Sequence, residues 1–332
     1  MRSLPAAPMT TLADIKKPVA REMREFEAYF NRTLQTDVPF FRIILNYILR
    51  RKGKQMRPLL VFLSAKLNGD ITESAYVAAS HIELLHTATL VHDDVVDDAV
   101  ERRGLPSINA LWNSKIAVLV GDYLLAQGLL ISVEKKSYDM LEIVSGAVKE
   151  IIKGELLQLQ KTRKLNISEE DYFRIITMKT AALISACTAC GASAVTDDKA
   201  IIARMKLFGE YIGIAFQIKD DLLDYSGNGL TGKKEGNDIK EKKITLPLIH
   251  ALREAGIIEK RRIIRTIRKK NKGRKDIREV IEFVRRHKGL EYAEAKMREY
   301  SDKALQILES YPESETRSAL TEFVMFSTLR KK

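Results

Sequence analysis

The sequence predicts an all-α protein that forms one large helical bundle over residues 1–332. The chain has 17 Gly and 8 Pro, about 8% of its residues, against roughly 12% in an average protein. This shortage of turn residues disfavours a sandwich or barrel of many short strands. We find no alternating apolar runs separated by hairpin turns and no internal repeat of about 20–50 residues. Apolar residues make up 45% of the chain, which is enough to fill a core.

Proline and glycine mark the ends of the predicted helices. We predict helices over residues 26–49 (with a break at Val38-Pro39), 59–67, 74–99, 107–132, 138–161, 169–195 and 199–225, and from 246 onward. Pro58 suits the first turn of the second helix, and Asn68-Gly69 suits its end. Gly104-Leu105-Pro106 ends the long third helix. Gly227–Gly236 contains four glycines and is predicted to be a loop.

Composition also limits where in the cell the protein is expected to be found. Two cysteines cannot build the disulfide framework of a small secreted protein. The first residues, MRSLPAAPMT, contain no apolar run of signal-peptide length, and we expect residues 1–9 to be a loose extension. No run reaches the roughly 18 apolar residues of a membrane span. The sequence therefore predicts a soluble, cytoplasmic protein.

The net charge of +12 is concentrated in one segment. Residues 259–289 hold fourteen Lys or Arg and four acidic residues. The simplest interpretation is a solvated pair of helices, and a peripheral contact with anionic lipid is the alternative. A nucleic-acid partner is not expected, because Phe283 is the only aromatic residue available there for base stacking.

Two acidic segments with the same DDxxD spacing predict a metal site. They contain Asp93, Asp94 and Asp97, and Asp220, Asp221 and Asp224. Aspartates four residues apart share one face of a helix, where they repel each other unless a cation neutralises them. Carboxylates without clustered Cys or His suit Mg²⁺, which usually takes one or two carboxylates plus phosphate oxygens. The sequence therefore predicts Mg²⁺ ions that carry a diphosphate, in a central cavity between the two motifs.

Seven segments, in order along the chain, resemble those of the trans-isoprenyl diphosphate synthases, the polyprenyl synthetase family. They are GKQMRP (53–58), ELLHTATLVHDDVVDD (83–98), RRGLPS (102–107), GDYLLA (121–126), MKTAAL (178–183), FQIKDDLLD (216–224) and TGKKEGNDIKEKKITLP (231–247). The resemblance implies an isoprenoid synthase-like bundle. It also implies a prenyltransferase that condenses isopentenyl diphosphate with an allylic diphosphate by ionisation, condensation and elimination. Relatives self-associate, so a homodimer is expected, and the apolar stretch between Ile116 and Leu130 is a candidate interface.

The resemblance also implies roles for individual residues. Isopentenyl diphosphate would be held by Lys54, Arg57, His86 and Arg103. The allylic diphosphate would be held by Arg102, Lys179, Thr180, Gln217, Lys233 and Lys243. The six aspartates would bind Mg²⁺, and the residues expected to be catalytic are Asp93, Asp94, Asp97, Arg102, Lys179, Asp220 and Lys233. The family usually has a basic residue where Gln55 stands.

Product length is predicted from the helix that leads to the first acidic motif. In the family, side chains about one turn before that motif form the floor of the pocket for the growing chain. Here Thr89 and Ala88 are small, and Leu85 lies one turn further up. This resembles long-chain members and implies an all-trans product of about thirty to fifty carbons. If this floor sets the length, Ala88→Phe shortens the product; a farnesyl or geranylgeranyl diphosphate synthase is the alternative.

Other kinds of site are disfavoured. Gly227–Lys233 approaches a phosphate-binding P-loop, but Lys234 stands where that motif has Ser or Thr. Cys187 and Cys190 have no second pair and no nearby His, which favours packing in the core. Glu83-x-x-His86 lacks the second copy that a di-iron bundle needs. A terpene cyclase and a subunit of a heteromeric prenyl synthase stay open, although two complete acidic motifs favour a catalytic chain.

Overall fold

The computed structural model describes residues 11–50, 53–102, 104–164, 167–225 and 236–329. Three predicted features fall outside these ranges: the extension at residues 1–9, Arg103, and most of the Gly-rich loop with Lys233. Within the described ranges the chain is almost entirely helical, and the all-α prediction is confirmed.

Seventeen α-helices occur in the described residues. They are α1 Leu12–Lys16, α2 Ala20–Thr33, α3 Pro39–Arg50, α4 Met56–Asn68, α5 Glu73–Val96, α6 Ile108–Trp112, α7 Ser114–Glu134, α8 Tyr138–Lys164, α9 Glu169–Ile176, α10 Ala182–Ser193, α11 Lys199–Asp224, α12 Asn237–Lys240, α13 Leu246–Glu254, α14 Ile257–Arg268, α15 Arg274–Arg286, α16 Gly289–Glu309 and α17 Glu315–Val324. Short irregular turns add a 3₁₀ turn at Lys17–Val19 and π-helical turns at Thr177–Ala181 and Met325–Leu329.

The short helices α1 and α12 and the beginning of α2 were not predicted, and the structure differs from the predicted elements in three further places. A two-residue antiparallel hairpin, β1 Glu101–Arg102 with β2 Leu105–Pro106, occupies the predicted loop after α5. The helix predicted over 107–132 is interrupted at Asn113, whose φ of 77° lies outside the helical region. The helix predicted over 169–195 contains the π-helical turn Thr177–Ala181. Helices are predicted from the spacing of apolar residues, and none of these three features alters that spacing. They could therefore not be predicted from it.

The chain divides into two compact units, and the prediction of one domain over 1–332 stays a prediction. The first unit comprises Met1–Gly146, Ala186–Lys206 and Pro312–Glu322. Within it α5 packs along much of α7, and α4 packs against α5 and α2. One of its apolar clusters contains Leu34, Ile44, Leu45, Leu84, Ala88, Val91, Ile108, Ala117, Val120 and Leu124. This cluster fixes the position of α5, the helix that ends in the first acidic motif.

The second unit comprises Ala147–Ser185, Leu207–Tyr311 and Phe323–Lys332. Its helix α13 packs against α9, α15 and α16, and α14 packs against α15. The core of this unit includes the large buried side chains of Tyr172, Tyr225, Ile263, Phe283 and Met297. Tyr225 directly follows the second acidic motif, so that motif ends on a residue anchored in the core.

Two segments of the described chain are long and apolar enough to cross a membrane by length and composition. They are Ser114–Glu134 and Glu169–Ser193. Neither segment contains an uninterrupted run of about 18 apolar residues, because each carries charged residues. In the second segment 67% of the most apolar window is buried inside the protein, as in a core helix. The first segment is helix α7, and only 39% of its window is buried, so one of its faces is apolar and exposed.

Candidate active site

The first acidic motif lies at the carboxyl end of α5. Asp93 and Asp94 belong to the last turns of the helix, and the backbone N–H of Asp97 closes it on the carbonyl of Asp93 at 2.9 Å. Asp93 and Asp97 are exposed, whereas Asp94 is only 2% exposed. The carboxyl end of a helix already carries partial negative charge, which disfavours further anions. A cluster of carboxylates in this position therefore favours binding of a cation.

The amino end of α4 carries the predicted residues Lys54 and Arg57. Arg57 lies in the first turn of the helix, and Lys54 is exposed just before it. Between them, Gln55 adopts a left-handed conformation with φ of 52°, which is strained for a residue with a side chain. The amino end of a helix presents backbone N–H groups and partial positive charge, both suited to a diphosphate. The two cations and the helix end thus form one positively charged surface within the first unit, and such a surface suits an anion.

Helix α10 lies close to this surface. The Cβ position of Gly191 would fall 2.4 Å from the carbonyl oxygen of Val61, so α10 and α4 approach too closely there for any side chain. Cys187, one turn earlier on α10, is fully buried, and burial raises the pKa of its thiol to about 12. The Arg57 guanidinium lowers that pKa and the Glu83 carboxylate of α5 raises it, so both charges lie near the thiol.

His86 follows Glu83 by one turn of α5 and is partly buried. Its helical position places it on the same side of α5 as Glu83. Arg57 and His86 thus lie on α4 and α5, two helices that pack against each other, and their shared role stays a prediction. The prediction that Cys187 and Cys190 pack in the core is confirmed, because both are free thiols and both are buried.

The π-helical turn Thr177–Ala181 presents two predicted residues of the allylic site in the second unit. Two glycines let it pack closely against its neighbours. A Cβ atom at Gly154 of α8 would lie 2.9 Å from the backbone nitrogen of Lys179, and one at Gly213 of α11 would lie 2.5 Å from Cα of Ala181. π-helical turns are rare and are frequent at functional sites. Here the turn interrupts the helix at the position of Lys179 and Thr180.

Lys179 and Thr180 point to different partners. The ammonium of Lys179 donates a hydrogen bond to Oε1 of Gln158 at 2.9 Å and forms an ion pair with Glu155. The hydroxyl of Thr180 donates to Oε1 of Gln217 on α11 at 2.8 Å. Both side chains are therefore held in fixed positions by α8 and α11.

A hydrogen-bonded chain connects Thr180 to the second acidic motif. The amide group of Gln217 donates to Oδ1 of Asp221 at 2.9 Å, and the phenol of Tyr172 donates to Oδ2 of the same residue at 2.7 Å. Burial raises the pKa of Asp221 to about 7, although both hydrogen bonds act in the opposite direction. The carboxylates of Asp238 and Asp220 raise the pKa further. Asp221 is thus a buried carboxyl group with other carboxylates close to it.

Asp224 holds the segment that follows the Gly-rich loop. Its two carboxylate oxygens accept the backbone N–H groups of Asn237 at 2.9 Å and Asp238 at 3.1 Å. These groups open the short helix α12, so Asp224 caps that helix from outside its own sequence. Through this contact Asp238 joins the second acidic motif. Burial raises the pKa of Asp238 to about 6, Asp224 and Asp220 raise it further, and Lys243 lowers it.

Asp238 and Tyr172 are two site residues to which the sequence analysis gave no role. Asp238 stands inside the segment TGKKEGNDIKEKKITLP, where its carboxylate was a possible signal. Nothing local in the sequence marks Tyr172, because its contact with Asp221 spans 49 residues. Lys243, which was predicted, forms an ion pair with Glu241 at 2.6 Å and influences Asp238.

The donors fit a hard divalent cation. All are carboxylates, and the buried ones, Asp94, Asp221 and Asp224, would be costly to keep charged without a counter-ion. In the described part of the chain no group of three or more His, Cys, Asp or Glu is placed to hold a metal ion. A hard cation that binds a phosphate needs only one or two protein carboxylates, because water and phosphate oxygens complete its coordination.

The remaining predicted residues are placed only in part. Arg102 lies in β1. Arg103 and Lys233 lie outside the described residues. Ala88 is fully buried in the apolar cluster with Val120 of α7, whereas Thr89 is partly buried and donates its hydroxyl to the carbonyl of His86. Leu85 is buried as well.

The chain is similar to several known proteins. The octaprenyl diphosphate synthase of Escherichia coli is 36% identical over 93% of this chain and 96% of its own length. The all-trans-nonaprenyl-diphosphate synthase (geranyl-diphosphate specific) of Rhodobacter capsulatus is 37% identical over 92% of this chain and 94% of its own length. The crystal structure of polyprenyl synthase from Caulobacter crescentus CB15 complexed with calcium and isoprenyl diphosphate matches with a TM-score of 0.89 at 33% identity, over 98% of this chain and 100% of that one. The family model for polyprenyl synthetase matches residues 38–284, and this chain belongs to the polyprenyl synthetase family.

Proposed function

We propose that this chain is a Mg²⁺-dependent prenyltransferase that condenses isopentenyl diphosphate head-to-tail with an allylic diphosphate. The observation that carries the proposal is the group of buried carboxylates at the end of α11. Asp221 and Asp224 are 4% and 6% exposed, and Asp238 adds a third charge beside them. Buried carboxylates repel each other, and a divalent cation that carries a diphosphate would neutralise them. Family membership supports the same reaction.

Each acidic motif would hold metal through its own carboxylates: Asp93, Asp94 and Asp97 in the first, and Asp220, Asp221 and Asp224 in the second. When bound, a divalent cation draws negative charge from the allylic diphosphate and so makes it a better leaving group. The chain's own cations add to this effect at fixed positions. Lys179 is held on the π-helical turn by Gln158 and Glu155, and preorganised charges of this kind act without reorganisation during the reaction.

The reaction balances without any further reagent. The C–O bond of the allylic diphosphate breaks, and its electron pair leaves with the diphosphate. The double bond of isopentenyl diphosphate forms the new C–C bond, and one proton is lost. We propose that the released diphosphate accepts this proton. Lys54, Arg57, His86 and Arg103 would hold isopentenyl diphosphate, and Arg102, Thr180, Gln217, Lys233 and Lys243 would join Lys179 around the allylic diphosphate.

The product is proposed to be a long all-trans chain of about thirty to fifty carbons. Two of the relatives described above make chains in or near this range by their names. Thr89 lies one turn before Asp93 and therefore shares its face of α5, and it is only partly buried. Ala88 lies in the packed cluster instead, so Ala88→Phe would also strain the core. Thr89→Phe is the cleaner test of the pocket floor and is expected to shorten the product.

We further propose that the enzyme is a cytoplasmic homodimer that uses the exposed face of α7. Five apolar side chains lie on one stripe of this helix, and each is 41–63% exposed: Val118, Leu119, Leu129, Leu130 and Val133. Their spacing follows one face of a helix. An exposed stripe of this length, in which Asp122 is the acidic residue, is typical of an interface, and a second copy of this chain would cover it.

A radiolabel assay tests the activity. Purified protein receives labelled isopentenyl diphosphate, farnesyl diphosphate and Mg²⁺, and the extracted products are sized by chromatography. We expect a ladder that ends at about thirty to fifty carbons and that disappears with a chelator. A single addition that stops at geranylgeranyl length would confirm the condensation reaction and refute the predicted pocket floor. No incorporation by folded protein would refute the proposal for this chain alone.

A further inference from the structure

Two isoleucines stand in solvent at the beginning of α14. Ile257 is 71% exposed and Ile258 is 88% exposed, the highest exposure among the large apolar side chains of the described residues. They are adjacent, they open a helix, and they precede the most basic segment of the chain. Fully exposed isoleucine has no role in the stability of the fold, so these side chains are available to contact another apolar phase.

A stripe of arginines continues from the two isoleucines along the same face of α14. Arg261, Arg265 and Arg268 follow Ile257 at intervals of four, eight and eleven residues, which is the repeat of one helix face. All three are exposed. The opposite face, with Ile263, Thr266 and Ile267, is buried in the second unit. The outward side of the helix thus has an apolar tip, Ile257 and Ile258, followed by a cationic face. The inward side packs in the core of the second unit.

These arginines differ from other cations of the segment because no carboxylate of the described chain neutralises them. Arg262 pairs with Glu279 at 3.1 Å, Lys269 with Asp276 at 2.6 Å, and Arg286 with Glu259 at 2.8 Å. The acids of the segment are therefore largely used by neighbouring cations. The outward stripe keeps its positive charge, and its potential extends to any anionic surface within about 8–10 Å.

We propose that α14 docks the protein on a membrane surface that contains anionic phospholipids. Ile257 and Ile258 insert among the acyl chains near the headgroups, and Arg261, Arg265 and Arg268 lie against the lipid phosphates. Weak apolar insertion combined with a basic patch is the usual physical requirement for reversible binding to a membrane surface. The proposal does not depend on the proposed activity, and it assigns a partner to charge that the catalytic site does not use.

A single-stranded nucleic acid is the competing partner for a basic surface. Such binding generally needs aromatic side chains on which bases stack. Phe283, the aromatic residue of the segment, is fully buried on α15. The exposed apolar groups are instead aliphatic, which suits acyl chains. These two observations favour the lipid surface.

Co-sedimentation with vesicles tests the proposal on the full chain. Binding is compared between phosphatidylcholine vesicles and vesicles with about one third phosphatidylglycerol, at low and at physiological salt. The triple variant Arg261→Gln/Arg265→Gln/Arg268→Gln is expected to bind the anionic vesicles about 100-fold more weakly. Each basic residue near such a surface raises the binding constant about fivefold. Ile257→Ser/Ile258→Ser is expected to weaken this binding at least tenfold. The radiolabel assay of both variants with soluble substrates is expected to match that of the wild type.

Two matched variants separate this site from general charge attraction. Arg24→Gln/Lys149→Gln/Arg298→Gln removes three exposed cations elsewhere and gives the same net charge. Ile43→Ser removes another exposed isoleucine, on α3. Both are expected to bind anionic vesicles like the wild type. The proposal is wrong if the wild type does not bind these vesicles at low salt, or if the control triple variant loses as much binding as the α14 variant. It is equally wrong if labelled single-stranded RNA binds through the same arginines while vesicles do not.

Discussion

The six aspartates of the two acidic motifs occupy different environments although their spacing is the same. Asp93 and Asp97 are exposed, and Asp94 is buried. In the second motif Asp221 and Asp224 are both buried, and both accept hydrogen bonds from protein groups. Replacing a carboxylate that accepts hydrogen bonds from the protein lowers the free energy of unfolding, because the donors lose their acceptor. The same substitution is therefore expected to report different properties at different positions.

Asp93→Asn and Asp224→Asn make this difference measurable. Asp93→Asn is expected to lower kcat by at least about 10²-fold, the scale of one lost cation ligand, and to leave the free energy of unfolding nearly unchanged. Asp224→Asn is expected to lower kcat and also to cost about 1–2 kcal/mol of stability, because α12 loses an acceptor for one of two N–H groups. Steady-state kinetics and denaturant unfolding measure both effects.

Asp98→Asn is the matched control for these variants. Asp98 is exposed at the same end of α5, and its φ of 48° is a conformation that Asn adopts readily. We expect at most a small change in kcat and none in stability. Equal losses of kcat at positions 93 and 98 would mean that the overall charge of the helix end matters and that the predicted ligand positions do not.

His81 is a second residue with a measurable consequence. It is buried on α5, its Nδ1 lies 2.7 Å from Oγ of Ser132 on α7, and burial lowers the pKa of its imidazole to about 4. In the unfolded chain the pKa is about 6.5. Between these values the unfolded chain binds a proton that the folded protein does not, so stability is lost as pH falls. The loss amounts to at most about 3 kcal/mol between pH 7 and pH 4.

Denaturant unfolding at several pH values tests this expectation against a His81→Gln variant. The variant is expected to be less stable at pH 7 and to lose less stability on acidification than the wild type. Carboxylates contribute to acid unfolding in both proteins, so the difference between the two slopes isolates the histidine. Identical slopes would show that His81 is accessible to protons in the folded state.

At the scale of elements, the π-helical turn Thr177–Ala181 connects packing to the proposed allylic site. It carries Lys179 and Thr180 and is approached closely by Gly154 of α8 and Gly213 of α11. A side chain at Gly213 would collide with the backbone of Ala181, which a flexible neighbour cannot relieve. The position of the two site residues therefore depends on the absence of a side chain on another helix.

Gly213→Ala is expected to displace the turn and to lower kcat/KM for the allylic substrate about 10- to 100-fold. The added methyl group would also cost about 1–3 kcal/mol through overpacking. Steady-state kinetics with each substrate varied in turn and thermal unfolding are the measurements. The KM for isopentenyl diphosphate is expected to change little, because Arg57 and His86, two of the residues proposed to hold it, lie on α4 and α5 and not on this turn.

Gly146→Ala is the matched control in α8. A Cβ atom there meets nothing within 4 Å, so alanine is expected to stabilise the helix by about 0.5–1 kcal/mol and to leave the kinetics unchanged. The opposite outcome is a Gly213→Ala variant that loses stability and retains its full kcat/KM. That result would contradict the proposal that the position of the turn matters for the reaction of the allylic substrate.

The element boundaries illustrate what can be predicted from sequence. Pro39 begins α3, and Gly69 ends α4 with its N–H bound to the carbonyl of Ala65, as local rules for prolines and glycines require. The π-helical turn could not be predicted, because its residues fit an α-helix equally well and the turn depends on neighbouring helices. The hairpin at Glu101–Pro106 was missed because strands of two residues have no periodicity.

The site was predicted to a similar extent. The spacing of carboxylates gave both acidic motifs, since helical repeat places such residues on one face. The contribution of Asp238 was not predictable, because it depends on the backbone contact with Asp224 across thirteen and fourteen residues. Tyr172 was missed for the same reason. Spacing within a helix can be read from sequence, whereas hydrogen bonds between separate helices are properties of the tertiary fold.

At the scale of the whole molecule, two exposed apolar features call for different partners. The stripe on α7 is long and nearly free of charge, with Asp122 as its acidic residue, whereas the tip of α14 is two residues wide and surrounded by arginines. An uncharged stripe of several large side chains suits another protein surface of the same kind. A small tip among cations suits a membrane surface. Substitution at one feature is therefore expected to leave the other function intact.

Leu119→Glu is expected to convert the homodimer to a monomer. Leu119 is 63% exposed on α7, and a buried carboxylate facing its own symmetry mate would cost several kcal/mol at a two-fold interface. Ile258→Glu is the control, because that side chain is still more exposed and lies on α14. Light scattering after size-exclusion chromatography measures the mass of each variant at equal concentration. We expect a monomer only for Leu119→Glu, with vesicle binding reduced only for Ile258→Glu. A wild type that is monomeric, or a Leu119→Glu variant that stays dimeric, would show that the α7 stripe is not the interface.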